Sequence, residues 1–269
     1  IIFILCAILG ILSYELIEQR LLGRLNGRRT QIGTVSICAF LSLLLFVPAA
    51  KGYSNHGLVR DVPELDLYVG RDDNLESQDY NNRVYAMDCD FPLDEKGKVL
   101  VVGDSFGRDW VNVLLEAGID SIMDISYHAE TDSVLNRRIE QSDVIFVATN
   151  APFDKFWPYF PLMQSKRFWR VGIKNFGTRN GIVYNNDRYG KDYYSQTVQI
   201  PTNTEQLNNM ERRVFGDNYI DVMANIRING LLPIFTPSRH FWSHDGLHLT
   251  RAGAKELSLR LDINKMCLE

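Results

Sequence analysis

What the sequence lacks first is an excess of positive charge, since 29 Lys and Arg stand against 33 Asp and Glu in 269 residues, a formal net charge of −4. Without a basic surplus there is no extended positive field to grip a phosphate backbone, which excludes a general nucleic-acid binder. Internal repeats are missing too, which excludes a repeat array. Histidine and cysteine are scarce, with 5 and 4 copies. His244 and His248 flank Asp245 at metal-ligand spacing, but no further His or Cys stands near them to complete a set, so no metal is expected. Cys6 and Cys38 fall in apolar runs, leaving Cys89 and Cys267 in the polar remainder, where one bridge and two separate thiols are both open.

Charge is also absent locally. Residues 30–50, between Arg29 and Lys51, are 21 consecutive positions without a charged side chain. As a helix they would span roughly 31 Å at about 1.5 Å per residue, one bilayer crossing. A cleaved signal peptide shares the basic start and the small residues Ala49 and Ala50, but another apolar run, 1–12, comes first, so two membrane helices are expected. The connection between them carries Arg20, Arg24, Arg28 and Arg29, which puts it on the cytoplasmic side and everything after Lys51 outside the cytoplasm. The chain opens on Ile1 inside an apolar run, and the expectation is that it continues upstream.

With 45% hydrophobic residues the chain can build one large domain or a mid-sized domain with an appendage. Residues 51–95 are polar and broken by Gly, Pro, Asn and Asp, and read as a linker with a short packed segment near 84–87. From 96 to 269 short apolar runs alternate with amphipathic stretches, the pattern of an α/β domain with a mainly parallel sheet between helical layers. Strands are expected at 99–102, 121–125, 144–148, 168–173 and 231–235, and helices at about 109–116, 133–141, 204–215, 219–228 and 250–261. The stretch 184–197, rich in Tyr, Asn and Asp, reads as a loop at the sheet edge.

Open parallel sheets gather reactive groups at the carboxyl ends of their strands. The first strong run ends in Gly103-Asp104-Ser105-Phe106-Gly107, which places Ser105 on a strand-to-helix turn, its hydroxyl exposed and its N–H in the positive field of the helix start. Alone, a Ser in such a turn more often caps a helix. Near the end of the chain, Asp245 and His248 are three residues apart, so the carboxylate can accept the imidazole Nδ1–H and leave Nε2 for a nucleophile, with Thr250 as N-cap of the last helix.

Together these elements resemble the SGNH-hydrolase superfamily, the GDSL-type esterases and acyltransferases, over roughly residues 97–261. Gly103-Asp104-Ser105 matches the nucleophile block and Asp245 to His248 the Asp-x-x-His block, in the family's order. The resemblance implies an SGNH-like three-layer α/β domain with a Ser105, His248 and Asp245 triad. It also implies an oxyanion site made by the Ser105 N–H and by Asn150, which follows the central strand in Ala148-Thr149-Asn150-Ala151 where the family usually has Gly-x-Asn-Asp. The family's second block, a Gly after the second strand, is missing, and the N–H of Ser126 or of Tyr127 stands in for it.

Ser13-Tyr14-Glu15-Leu16-Ile17-Glu18, followed by arginines, is similar to the close of the multi-spanning acyltransferase-3 family, many of whose members continue through one extra helix into an extracytoplasmic SGNH domain. The combined resemblance implies 1–30 as the end of a membrane acyltransferase domain, 31–50 as a transmembrane helix, 51–95 as a linker and 96–269 as the catalytic domain. The implied activity is O-acylation, most simply O-acetylation, of a cell-envelope glycan acceptor. No cofactor is expected in the soluble domain, and the acyl group is expected from acyl-CoA through the upstream domain. A carbohydrate esterase and a non-catalytic glycan-binding module are the alternatives. The aromatic stretches 153–160 and 184–194 are read as core or as surfaces for sugar rings.

Overall fold

A computed structural model describes residues 28–54, 73–93, 95–177 and 190–269, with Ile11, Tyr14, Glu15 and Glu64. The chain divides into two compact units, Ile1–Leu58 and Val59–Glu269.

In the first unit Arg28–Ser54 forms one helix, α1, of 27 residues, in which Phe40, Leu43, Leu45 and Phe46 are exposed. Among the described residues no helix is long and apolar enough to cross a membrane. The span expected at 31–50 is therefore helical but not shown as a crossing, and the expected helix at 1–12 lies almost wholly outside the described residues.

The second unit begins with a difference from expectation. Asp73–Tyr85, inside the stretch read as a linker, is a helix, α2. Its sequence is polar, so hydropathy gives no hint of it. It docks through the fully buried side chain of Val84 and through Arg83, which donates to Asn112 Oδ1 at 2.9 Å and pairs with Glu116 at 3.2 Å.

The body of the unit is a parallel sheet. Strands β1 (Gly97–Val102), β2 (Met123–His128), β3 (Val144–Ala148), β4 (Arg167–Val171) and β6 (Tyr219–Ile220) lie in the order β2-β1-β3-β4-β6, every pairing parallel. Val99, Val101, Phe146 and Ala148 face one core cluster, whereas Leu100, Val102, Ile145 and Val147 face another. The period of two in a strand splits one continuous apolar run between two faces, which is why these strands do not alternate apolar with polar. Full burial of each Val, Leu, Ile or Phe among them contributes about 1.5–3 kcal/mol.

Helix α3 (Ser105–Glu116) covers the first face with Trp110, Val113 and Leu114, joined by α7 (Val222–Ile226), α8 (Arg251–Arg260) and α9 (Ile263–Leu268). Helix α4 (Ser133–Gln141) covers the second with Leu135 and Ile139, beside Phe153, Phe156 and Met163, the last of these in the short helix α5 (Phe160–Met163). Phe215, at the end of α6 (Thr202–Phe215), closes that cluster. Three layers result, in agreement with the expected α/β class.

Two expectations are corrected. The run 231–235 does not join the parallel sheet; β7 (Leu232–Pro233) pairs antiparallel with β5 (Thr197–Val198) in a separate ladder. Pro233 has no N–H to give a central strand, and Ile234 and Phe235 pack instead with Tyr193 and Phe241. The fifth sheet position is taken by β6, from within the helix expected at 219–228, of which only α7 is helical. The loop expected at 184–197 is described only from Gly190, where it forms a 3-10 turn, Gly190–Ser195, before β5.

Candidate active site

The strand order reverses between β1 and β3, with β2 laid down on one side of β1 and β3 on the other. In such sheets the crevice for a ligand opens at the carboxyl ends of the strands flanking that reversal. Ser105 follows β1 and Asn150 follows β3 at this point.

Gly103 makes the exit from β1 possible. Its φ is +148°, and a Cβ there would collide with the Ala148 carbonyl oxygen. Only glycine lets the chain leave β1 this close to the end of β3. Asp104 then caps α3, its Oδ1 accepting from the Phe106 N–H at 2.9 Å. Its other oxygen accepts from the Thr149 hydroxyl at 3.0 Å and from the Asn150 N–H at 3.1 Å, while its carbonyl accepts from the Tyr127 hydroxyl at 3.1 Å. One side chain thus ties the turn that carries Ser105 to the loop after β3. Ser105 is the first residue of α3, and its N–H is among the four that the helix leaves without an internal partner.

The opposing wall is the loop before α8. Thr250 caps that helix, accepting from the Gly253 N–H at 2.9 Å and donating to the Phe241 carbonyl at 2.5 Å. Within the loop, Asp245 Oδ1 accepts from the N–H groups of Leu247 and His248, both at 2.8 Å, and from the Ser243 hydroxyl at 3.1 Å. Gly246, at φ +88°, lets the turn come down on the segment after β4, where a Cβ would collide with the Gly177 carbonyl oxygen.

These supports bring the three expected residues into line. His248 Nε2 lies 2.7 Å from Ser105 Oγ, and Nδ1 lies 2.6 Å from Asp245 Oδ2. An ionised carboxylate only accepts, so Nδ1 carries the proton and Nε2 is left to accept from the serine hydroxyl. Burial would raise the Asp245 pKa, but the His248 side chain, the two backbone N–H groups and the nearby imidazole together hold it well below the usual carboxylate range. Ser105 is half-buried, and Phe106 meets the His248 ring edge-on at 5.9 Å. A serine hydroxyl bonded to a basic imidazole, itself oriented by a carboxylate, can act as a nucleophile toward an acyl carbon.

Asn150 is exposed at the end of β3, its backbone committed to Asp104. The expected substitutes for the missing glycine are corrected. β2 runs to His128, further than 121–125, so Ser126 and Tyr127 stand inside the strand opposite Leu100 and Val101, and the Tyr127 N–H donates to the Met87 carbonyl at 3.0 Å. The first residue beyond β2 is Ala129. His244 lies edge-on to Phe241 at 6.1 Å, and its burial pushes its pKa down. Among the described residues no cluster of three or more His, Cys, Asp or Glu is arranged to hold a metal ion. Cys89 and Cys267 are separate thiols, one exposed and one buried. Phe153 and Phe156 are core residues, whereas Trp157 is 41% exposed.

Thr149 and the bridging role of Asp104 were not foreseen. An Asp immediately before a helix start signals the cap, but nothing signals the bridge, because its bonds to Thr149 and Asn150 cross 45 and 46 residues.

No model of a known protein family matches the chain, and neither does any curated protein. Among solved structures it is similar in fold to the periplasmic domain of a lipopolysaccharide acetyltransferase from Salmonella ser. Paratyphi A. The match is 12% identical with a TM-score of 0.52, and covers 70% of this chain and 96% of that one.

Proposed function

We propose that the protein is an O-acyltransferase, acting through a Ser105 acyl-enzyme on a hydroxyl of a cell-envelope glycan, with acetyl as the simplest acyl group. The observation that carries this reading is the continuous hydrogen-bonded line from Ser105 Oγ through His248 to Asp245, at 2.7 and 2.6 Å. The fold it shares with the periplasmic domain of a lipopolysaccharide acetyltransferase supports the choice of acceptor class.

In this mechanism Ser105 Oγ attacks the acyl carbonyl while His248 Nε2 takes its proton. The oxyanion is received by the Ser105 N–H, in the field of the α3 N-terminus, and by the Asn150 amide. Collapse expels the leaving group, which takes the proton back from His248. His248 then deprotonates the acceptor hydroxyl, which attacks the acyl-enzyme and frees Ser105, while Asp245 holds the tautomer and stabilises the imidazolium at both stages. The acyl group comes from acyl-CoA through an upstream membrane domain in the same chain, and the second unit is extracytoplasmic.

Transfer and hydrolysis share the first half of this cycle. The Asp245 and His248 side chains are 53% and 32% exposed, so water reaches the site. A transferase must outcompete that water by holding its acceptor in near-attack geometry. Fluorophosphonate labelling followed by peptide mapping should find the adduct on Ser105, and an acyl donor plus a panel of envelope polysaccharides should yield acylated glycan. Labelling elsewhere refutes the triad. Deacylation of native glycans without transfer replaces the reading with an esterase.

A further inference from the structure

The base of the proposed triad is held from behind by a buried charged pair that takes no direct part in the chemistry. Asp109 lies one turn after Ser105 on α3 and is 1% exposed. Its Oδ2 accepts from the N–H of Leu249, the residue after His248, at 2.8 Å. The same oxygen lies 2.9 Å from the ammonium of Lys174, which is 4% exposed on the segment following β4, and Oδ1 accepts from Arg108 at 3.1 Å. The Lys174 ammonium also sits 3.3 Å from the centroid of Phe106, the ring that meets His248 edge-on. Beyond that carboxylate and that ring it has no hydrogen-bond partner among the described residues.

Both contacts converge on His248, one through the backbone and one through the ring. A small cavity, lined in part by Phe106, Asp109, Ala148, Gly172, Lys174 and Leu249, lies beside the pair. Burial drives the Lys174 pKa down and Asp109 opposes that shift, which marks the pair as mutually dependent. Displacing a reacting group by about 1 Å can cost on the order of 100-fold in rate.

We infer that Asp109, held in place by Lys174, is a positioning residue that fixes the distance between His248 and Ser105 by anchoring the Leu249 N–H to the helix that carries the nucleophile. This rests on the triad reading above. Removing Asp109 alone would strand a buried ammonium, so the test compares two double variants in the full chain that both lack the Asp109–Lys174 pair and both leave Arg108 without its carboxylate, so that they differ only in the acceptor offered to Leu249. Asp109→Asn with Lys174→Met keeps an acceptor for Leu249; Asp109→Leu with Lys174→Met does not. With an activated aryl ester, the first should acylate Ser105 within about 3-fold of the parent, and the second should lose roughly 30- to 100-fold in kcat at unchanged KM. The second should also lose the far-downfield proton resonance of His248 Nδ1–H while melting near the first. Equal rates in the two variants, or a loss confined to KM, overturn the inference. Should the second variant not fold, replacing Leu249 by its α-hydroxy counterpart deletes the N–H alone and is read in the same way. Ser105→Ala runs beside them: if it still turns over, the triad reading fails, and if it is inactive while the double variants match, only the positioning role fails.

Discussion

Replacing Asp245 by Asn changes one atom and tests the proposed catalytic line at its end. In the parent, Oδ1 is occupied by two backbone N–H groups at 2.8 Å and by Ser243, so the amide oxygen of an Asn would keep that place. Its NH2 would then face His248 Nδ1, where Oδ2 now accepts at 2.6 Å. A donor facing Nδ1 forces the proton to Nε2, and the imidazole presents an N–H to Ser105 instead of a lone pair. The protease template for this change is a loss of about 10⁴ in kcat, or roughly 5.4 kcal/mol of transition-state stabilisation at about 1.36 kcal/mol per decade. At neutral pH the fold should lose only a small increment, because the Asp245 side chain is half-exposed and its backbone contacts are retained. The pKa of the parent carboxyl is depressed, so its contribution to stability is present above about pH 4 and is lost as pH falls through the folded-state value. The variant lacks that contribution at every pH, and the two melting curves should converge in strong acid. Burst kinetics with p-nitrophenyl acetate, read beside thermal melts, measure both effects. An Asp245→Asn protein that acylates within about tenfold of the parent would refute the tautomer argument.

Asn150→Ala should slow acylation by on the order of 10²–10³ with little change in melting temperature, since the residue is exposed and its backbone bond to Asp104 remains. Arg170, fully buried, makes a two-pronged pair with Glu211 at 2.9 Å and also donates to the Val147 and Ala151 carbonyls at 3.2 Å. Arg170→Met should therefore cost about 3–5 kcal/mol in urea unfolding. Adding Glu211→Leu should recover much of that loss, and additivity of the two costs would argue against a coupled pair. Burial pushes the Cys267 thiol up to about 12, so iodoacetamide labelling with peptide mapping should find Cys89 modified in the native protein and Cys267 modified only on unfolding.

The central elements could be read directly from the residue pattern. Val144–Ala148 and Ser133–Gln141 are found at the expected bounds, because a fully apolar run and an Asp-capped amphipathic stretch are local signals that do not depend on what lies beside them. The polar helix α2 could not be read, because its attachment depends on Asn112 and Glu116, about 30 residues away. The choice of fifth strand was equally invisible: 231–235 is the more apolar run, yet two residues, Tyr219 and Ile220, sit beside β4.

The candidate site divides along the same line. Chain order, the Gly-Asp-Ser turn and the three-residue spacing of Asp245 and His248 were determined by the sequence itself, because each is a matter of neighbours along the chain. The distance that makes them a unit, 2.7 Å across 143 residues, was decided by the tertiary structure alone. It depends on Gly103 passing under Ala148, on Asp104 reaching the loop after β3, and on Asp109 holding Leu249 to α3. Each of these is a contact between elements the sheet order brings side by side, and a short-range pattern carries no information about which elements those will be.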